Sequence, residues 1–225
     1  MVQLSARETP NVIFLDAVGT LFGVKGGVGE AYRQVALQFG VDVPAAILNR
    51  AFFQSFQAAG SAAFPDTPAA ALSEKEFAWW RAIATQTFQQ AGVLEQFRDF
   101  DAFFAALFAY FATAEPWFVY PDVRPTLEQW HNSGIELGVL SNFDSRLYGV
   151  LQSLGLANFF SSVTISTESG VAKPDSQIFH LALHKHHCPA SLAWHIGDSF
   201  EEDYQAARSA GLRGIWLRRN ESGIG

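Results

Sequence analysis

Val12-Ile13-Phe14-Leu15-Asp16-Ala17-Val18-Gly19-Thr20-Leu21-Phe22 decides the reading of this chain. The apolar run Val12 to Leu15 stops abruptly at Asp16, the pattern of a buried parallel strand that delivers a carboxylate to its C-terminal edge. Open α/β sheets bind their ligands at that edge. Gly19 permits a sharp exit from the strand, Thr20 offers a hydroxyl beside the carboxylate, and Leu21 with Phe22 leads the chain away. Taken alone, the run leaves two readings of Asp16 open, a nucleophile or an ordinary strand end.

Three later strand ends carry complementary polar groups. Ser141-Asn142 follows Gly138-Val139-Leu140, Lys173-Pro174-Asp175 follows a loop, and Gly197-Asp198-Ser199 follows Trp194-His195-Ile196, with Asp203 close behind. In this order, over most of the chain, the four pieces resemble the haloacid dehalogenase superfamily. The resemblance implies a nucleophile at Asp16 and a Mg²⁺ ion held by Asp16, Asp198 and the backbone carbonyl of Val18, with Asp203 reaching it through water. One departure stands out: position 18 is Val where phosphatases of the superfamily place an acid/base Asp. The dehalogenases proper also lack that Asp, and a further subgroup carries D-A-V-G-T-L as here.

The residue chemistry fits such a site. Carboxylates at Asp16, Asp198 and Asp203, on adjacent strand ends, form a hard-oxygen set suited to Mg²⁺ with water retained; Asp198 as a mere helix cap is the plainer alternative. Lys173 would balance those carboxylates and a transferring phosphoryl group. Thr20, Ser141 and Asn142 can donate hydrogen bonds to the same oxygens. Val18 can neither protonate a leaving group nor activate water, help that is typically worth about 10² to 10⁴ in rate.

Composition limits the alternatives. The chain has 225 residues, 49% of them hydrophobic and 16% charged, with 21 Phe and 6 Trp; this suits a globular core domain with a large insertion. A net charge of −7 argues against nucleic-acid or anionic-membrane partners, which need a basic footprint. The single cysteine, Cys188, excludes an internal disulfide and makes a reducing cytoplasm the expected compartment. Met1 to Asn11 has no apolar run of signal-peptide length, and no run reaches the roughly 20 residues of a membrane span.

Along the chain, Gly23 to Gly29 reads as a flexible Gly-rich connector. Helices are expected over Ala31 to Phe39, Ala45 to Gln57, Glu74 to Gln90 and Phe97 to Phe111, with an Ala/Pro-rich loop from Ala58 to Ala71. Pro44 marks one helix start, and Ser73 with Glu76 forms an S-x-x-E capping box at another. The aromatic residues, Trp79-Trp80 among them, read as the core of this helical unit. Arg33 and Arg50 read as solvated helix residues rather than clamps on a substrate carboxylate. From Glu115-Pro116 onward helices and strands alternate, which implies right-handed βαβ crossovers. His184, His186, His187 and Cys188 end a helix and do not share one face, so a metal site there is not expected. His195 reads as a packed core histidine.

The expected fold is therefore α/β, a Rossmann-like three-layer parallel sheet core formed by residues 1–22 and 113–225, with an all-helical cap over residues 23–112. The expected function is a hydrolase of phosphatase type, with catalytic residues Asp16, Thr20, Ser141 and Lys173, phosphate binding at Thr20, Ser141, Asn142 and Lys173, and Mg²⁺ at Asp16, Val18, Asp198 and Asp203. Its substrate would be a small phosphate ester or other small acid, with oligomeric state open. The alternatives are a non-catalytic Mg²⁺/phosphate-binding module and a metal-independent 2-haloacid dehalogenase.

Overall fold

The computed structural model describes residues 9–219; most of the Met1 to Asn11 segment lies outside them. The apolar run becomes the central strand β1 (Val12–Leu15) of a five-stranded sheet. It pairs in parallel with β4 (Glu136–Ser141) on one side and β6 (Ala193–Gly197) on the other. The outer strands β5 (Ser162–Ile165) and β7 (Arg213–Trp216) complete the order β5-β4-β1-β6-β7. The two-residue period of β1 sends Val12 and Phe14 to one face and Ile13 and Leu15 to the other. One face packs on α5 (Val123–Asn132) and α6 (Arg146–Ser153) through Leu127, Leu147 and Val150. The other packs on α8 (Ser176–Lys185) and α9 (Ala206–Ser209) through Ile178, Phe179 and Ala207. The result is the expected mixed α/β fold with a parallel central sheet between helical layers.

The chain leaves this sheet after β1 and forms α1 (Val28–Gln38), α2 (Ala45–Ala59), α3 (Ala69–Gln90) and α4 (Phe100–Tyr110), which enclose a separate aromatic core. Phe88 is fully buried there, edge-on to Phe97 and Phe103 at 5.0 Å, a preferred geometry for aromatic rings. Among the described residues no helix is long and apolar enough to cross a membrane.

Several local expectations are corrected. The Gly-rich connector begins as a strand: β2 (Phe22–Val24) pairs antiparallel with β3 (Trp117–Val119), so the chain leaves and re-enters the core through one ribbon. A Cβ at Gly23 would lie 2.7 Å from the Phe118 ring, so a larger residue would have to displace that ring. Helix α3 begins at Ala69 after Pro68, which places Ser73 inside it; Ser73 and Glu76 are no capping box. Helix α4 begins at Phe100, capped by the Asp99 carboxylate accepting from the Ala102 N–H at 2.9 Å. A π-helical turn over Phe200–Gln205 precedes the short α9.

Candidate active site at the carboxyl edge of the sheet

The strand register assembles the site. Leu15 is level with Val139 on β4 and with Ile196 on β6, so β1 and β6 reach the carboxyl edge one residue later, at Asp16 and Gly197, and β4 two residues later, at Ser141. The Asp16 N–H donates to the Ile196 carbonyl at 2.9 Å, extending the ladder by one bond and fixing the carboxylate beside Gly197 and Asp198. One oxygen each of Asp16, Asp198 and Asp203 lies within 4.8 Å of the others. Gly19 sits directly against Asp198: its φ is +85°, and a Cβ there would lie 2.3 Å from Asp198 Oδ2. Both the backbone conformation and the close approach call for glycine.

Lys173 is buried and donates to Asp16 Oδ1 at 2.7 Å and to Asp203 Oδ1 at 2.5 Å. It follows α7 (Ser166–Ser169) and precedes a cis peptide bond to Pro174. Burial works against its charge, but the two carboxylates outweigh burial and hold its pKa above the usual lysine value. Burial alone would likewise raise the Asp203 carboxyl; the Lys173 ammonium and the His195 hydrogen bond overcome this and hold it well below the carboxylate range. His195 lies in the core as expected, but its pairing with Asp203 is not legible in the sequence. Its Nε2 lies 2.8 Å from Asp203 Oδ1, and burial pushes its pKa down, so the neutral ring donates to Asp203. The Ser199 N–H, at 2.9 Å, occupies the other Asp203 oxygen. Asp203 is therefore an anchor, packed so closely on Gly197 that a Cβ there would lie 2.1 Å from its Cγ.

Asp198 differs. The residue is exposed, yet its carboxyl turns into the acidic cluster, and desolvation together with the Asp16 and Asp203 charges pushes it up to about 6. Thr20 is buried, and among the described residues its hydroxyl has no partner, which leaves a donor free for a ligand. Ser141 is buried at the end of β4. Val18 is 37% exposed at the start of the loop.

Asn142 departs from its expected role. Its side chain accepts from the Lys173 N–H at 2.8 Å and donates to the Lys173 carbonyl at 2.9 Å and to Glu202 at 3.1 Å. Both amide hydrogens are engaged, so the side chain holds the lysine loop and has none left for phosphate. Arg33 pairs with Asp42 at 3.0 Å within the helical unit. At the opposite edge of the sheet, His186 lies between Glu136 and Ser162, and among the described residues the His184 to Cys188 cluster forms no metal-binding group.

The model of the haloacid dehalogenase-like hydrolases matches residues 10–211. The chain belongs to that family. The haloacid dehalogenase-like hydrolase domain-containing protein 3 of Danio rerio is 35% identical to this chain over 209 residues, covering 93% of this chain and 85% of that protein. The glyceraldehyde 3-phosphate phosphatase of Methanopyrus kandleri is 37% identical over 122 residues, 52% of this chain and 51% of its own. Among solved structures, the L-2-haloacid dehalogenase RSc1362 superposes with a TM-score of 0.69 at 20% identity, covering 95% of this chain and 88% of that one. At that identity the likeness speaks for the fold alone.

Proposed function

We propose that this hydrolase is a Mg²⁺-dependent enzyme of phosphatase type, acting on a small phosphorylated metabolite through Asp16. The observation that carries the reading is the gathering of the Asp16, Asp198 and Asp203 carboxylates within 4.8 Å against one ammonium. Halide displacement has no need of that excess charge, whereas a dication beside a phosphate does. The residues fit the ion. The donors are hard oxygens, and desolvation together with the Asp16 and Asp203 charges pushes Asp198 up to about 6, a cost of charge that a dication offsets. Asp16, Asp198 and the Val18 carbonyl would hold it directly, and Asp203, already engaged by Lys173, His195 and Ser199, would act through water. When bound, Mg²⁺ neutralises phosphoryl oxygens.

The chain's own residues supply the remainder. Lys173 pairs with Asp16 Oδ1 and orients the carboxylate, with Oδ2 outside that ion pair. Attack by Asp16 on phosphorus forms an aspartyl-phosphate bond as the ester P–O bond breaks. The Thr20 and Ser141 hydroxyls, together with the Lys173 ammonium, stabilise the phosphoryl oxygens. The departing alkoxide takes its proton from solvent, because Val18 has none to give. Water then opens the aspartyl phosphate and releases inorganic phosphate. The enzyme should therefore prefer leaving groups that need little protonation.

The test is phosphate release from p-nitrophenyl phosphate with and without Mg²⁺, with Asp16→Asn as blank. Release that requires Mg²⁺ and vanishes in the variant supports the reading; release unchanged in Asp16→Asn overturns it. Val18 favours a second reading, a metal-independent 2-haloacid dehalogenase, because halide leaves unprotonated; chloride release indifferent to chelator would establish it. Tight binding of a phosphate ester without turnover would point to a non-catalytic module.

A further inference from the structure

Helix α3 carries one carboxylate that its own unit does not use. Glu76 is 1% exposed, and carboxylates are almost never so buried unless paired. Its partners all belong to the sheet domain. Oε1 accepts from the Ser145 N–H at 2.9 Å and from the Thr167 hydroxyl at 2.6 Å, and Oε2 accepts from the Ser145 hydroxyl. One helical turn on, the Trp80 indole donates to Asp144 Oδ2 at 2.7 Å. Arg146 grips Asp144 at 2.8 and 2.7 Å, donates to the Phe108 carbonyl of α4 at 3.1 Å, and lies 3.9 Å above the Phe108 ring.

These contacts converge on Asp144-Ser145-Arg146, which follows Ser141-Asn142-Phe143 without a break. Asn142 in turn clasps the backbone of Lys173, whose ammonium sits on Asp16. A continuous run of hydrogen bonds and chain therefore leads from α3 to the candidate nucleophile.

We infer that Glu76 is a positioning residue: it fixes the helical unit over the sheet edge and holds the 141–146 loop so that Asn142 keeps Lys173 on Asp16. A carboxylate suits this task because its oxygens take three donors that an apolar residue would leave unpaired. Glutamine is the conservative replacement. Its one carbonyl oxygen can accept the Ser145 N–H and the Thr167 hydroxyl, while its amide donates to the Ser145 oxygen.

The activity arm of the test rests on the proposed phosphatase reading; the distance arm does not. Nitroxide labels at the exposed Gln54 on α2 and Gln152 on α6, in a Cys188→Ser background, report the separation of the helical unit and the sheet domain by pulsed electron resonance. The native background should give one narrow distribution, Glu76→Ala a broad one, and Glu76→Gln one close to native. With p-nitrophenyl phosphate and Mg²⁺, Glu76→Ala should lower kcat by about 10- to 100-fold, with Glu76→Gln restoring most of it. Ile83→Ala, a cavity in the helical core, should cost stability without either effect. An unchanged distribution in Glu76→Ala, or an Ile83→Ala variant that broadens and slows equally, overturns the inference. If the native chain releases no phosphate, the phosphatase reading fails, and the distance distributions alone decide the role of Glu76.

Discussion

The two edges of the central sheet carry similar chemical groups to different ends. At the amino edge, His186 lies 2.5 Å from Glu136 through Nδ1 and 2.6 Å from Ser162 through Nε2. A hydroxyl, an imidazole and a carboxylate in a row resemble a nucleophilic triad, yet each group has a partner and the imidazole is covered, with Phe14 edge-on at 5.2 Å. At the carboxyl edge three carboxylates gather and the Lys173 ammonium pairs with two of them, Asp198 is pushed up to about 6, and the buried Thr20 hydroxyl has no partner among the described residues. Adjacency of reactive groups therefore does not mark the site. Unmet electrostatic demand does, because a folded chain tolerates it chiefly where a ligand will meet it.

Removing the Lys173 ammonium from the carboxyl edge should have the largest effect. Lys173→Met leaves Asp16 and Asp203 buried without their counter-charge, which should cost about 3–5 kcal/mol in urea denaturation and abolish phosphate release. The pH dependence has a definite sign. The native pairing holds the Asp203 carboxyl low, so its contribution is complete above the unfolded carboxylate range, near 4, and fades as pH falls below it. The variant should lose that acid dependence. A cost below about 1 kcal/mol, the level of an exposed pair, would break the contrast between the edges.

The next prediction sharpens the contrast. Val18→Asp supplies the missing proton donor at a position already 37% exposed. Turnover of an alkyl phosphate should rise by about 10²-fold, with a smaller gain on p-nitrophenyl phosphate, whose leaving group needs little help. Equal gains on both would show that the proton is not what the native site lacks.

Much of the carboxyl edge was legible in the sequence because it is a matter of short-range pattern. An apolar run that ends at Asp16, Ser141 or Asp198 states both the strand and the edge its last side chain reaches. What stayed hidden depends on long-range pairing. The β2–β3 ribbon consists of three-residue strands, one with a central glycine, too short to show a period. Glu76 was mistaken for a cap because S-x-x-E has a local meaning, whereas its real donors lie at Ser145 and Thr167. Ala69 to Ala71 reads as loop after Pro65 and Pro68, although alanine is the strongest helix former and α3 begins there. His195 was placed correctly in the core, but its partner Asp203 is presented by a π-helical turn that no pattern announced. Asn142 beside Ser141 looked like a second ligand donor, and only the fold shows its amide spent on Lys173.

The amino edge yields a smaller effect. His186→Ala removes both hydrogen bonds and the contact with Phe14, at a cost of about 1–2 kcal/mol in urea denaturation. Phosphate release should be unchanged, since the satisfied edge has no part in the chemistry. A tenfold loss of turnover at native stability would overturn the division of labour between the edges.

The smallest effect has the most informative sign. Asp198 carries a carboxyl pushed from an ordinary 3.8 up to about 6, first by desolvation and then by its acidic neighbours. Between those values the metal-free native protein keeps a proton that the unfolded chain has released. Stability therefore falls as pH rises through that window and stays penalised at pH 7. Asp198→Asn removes the penalty and should stabilise the metal-free protein at pH 7 by about 1 kcal/mol, a figure discounted for the solvent around an exposed residue. At pH 4 the gain should largely vanish. Adding Mg²⁺ should reverse the order, because the native protein gains RT ln(1 + [Mg²⁺]/Kd) and the variant, short of a ligand, gains less. Urea midpoints of both proteins at pH 4 and 7, with and without Mg²⁺, check this. If the asparagine variant is the less stable without metal, the carboxylates were never in conflict; if Mg²⁺ leaves the order as it was, their conflict is not resolved by that ion.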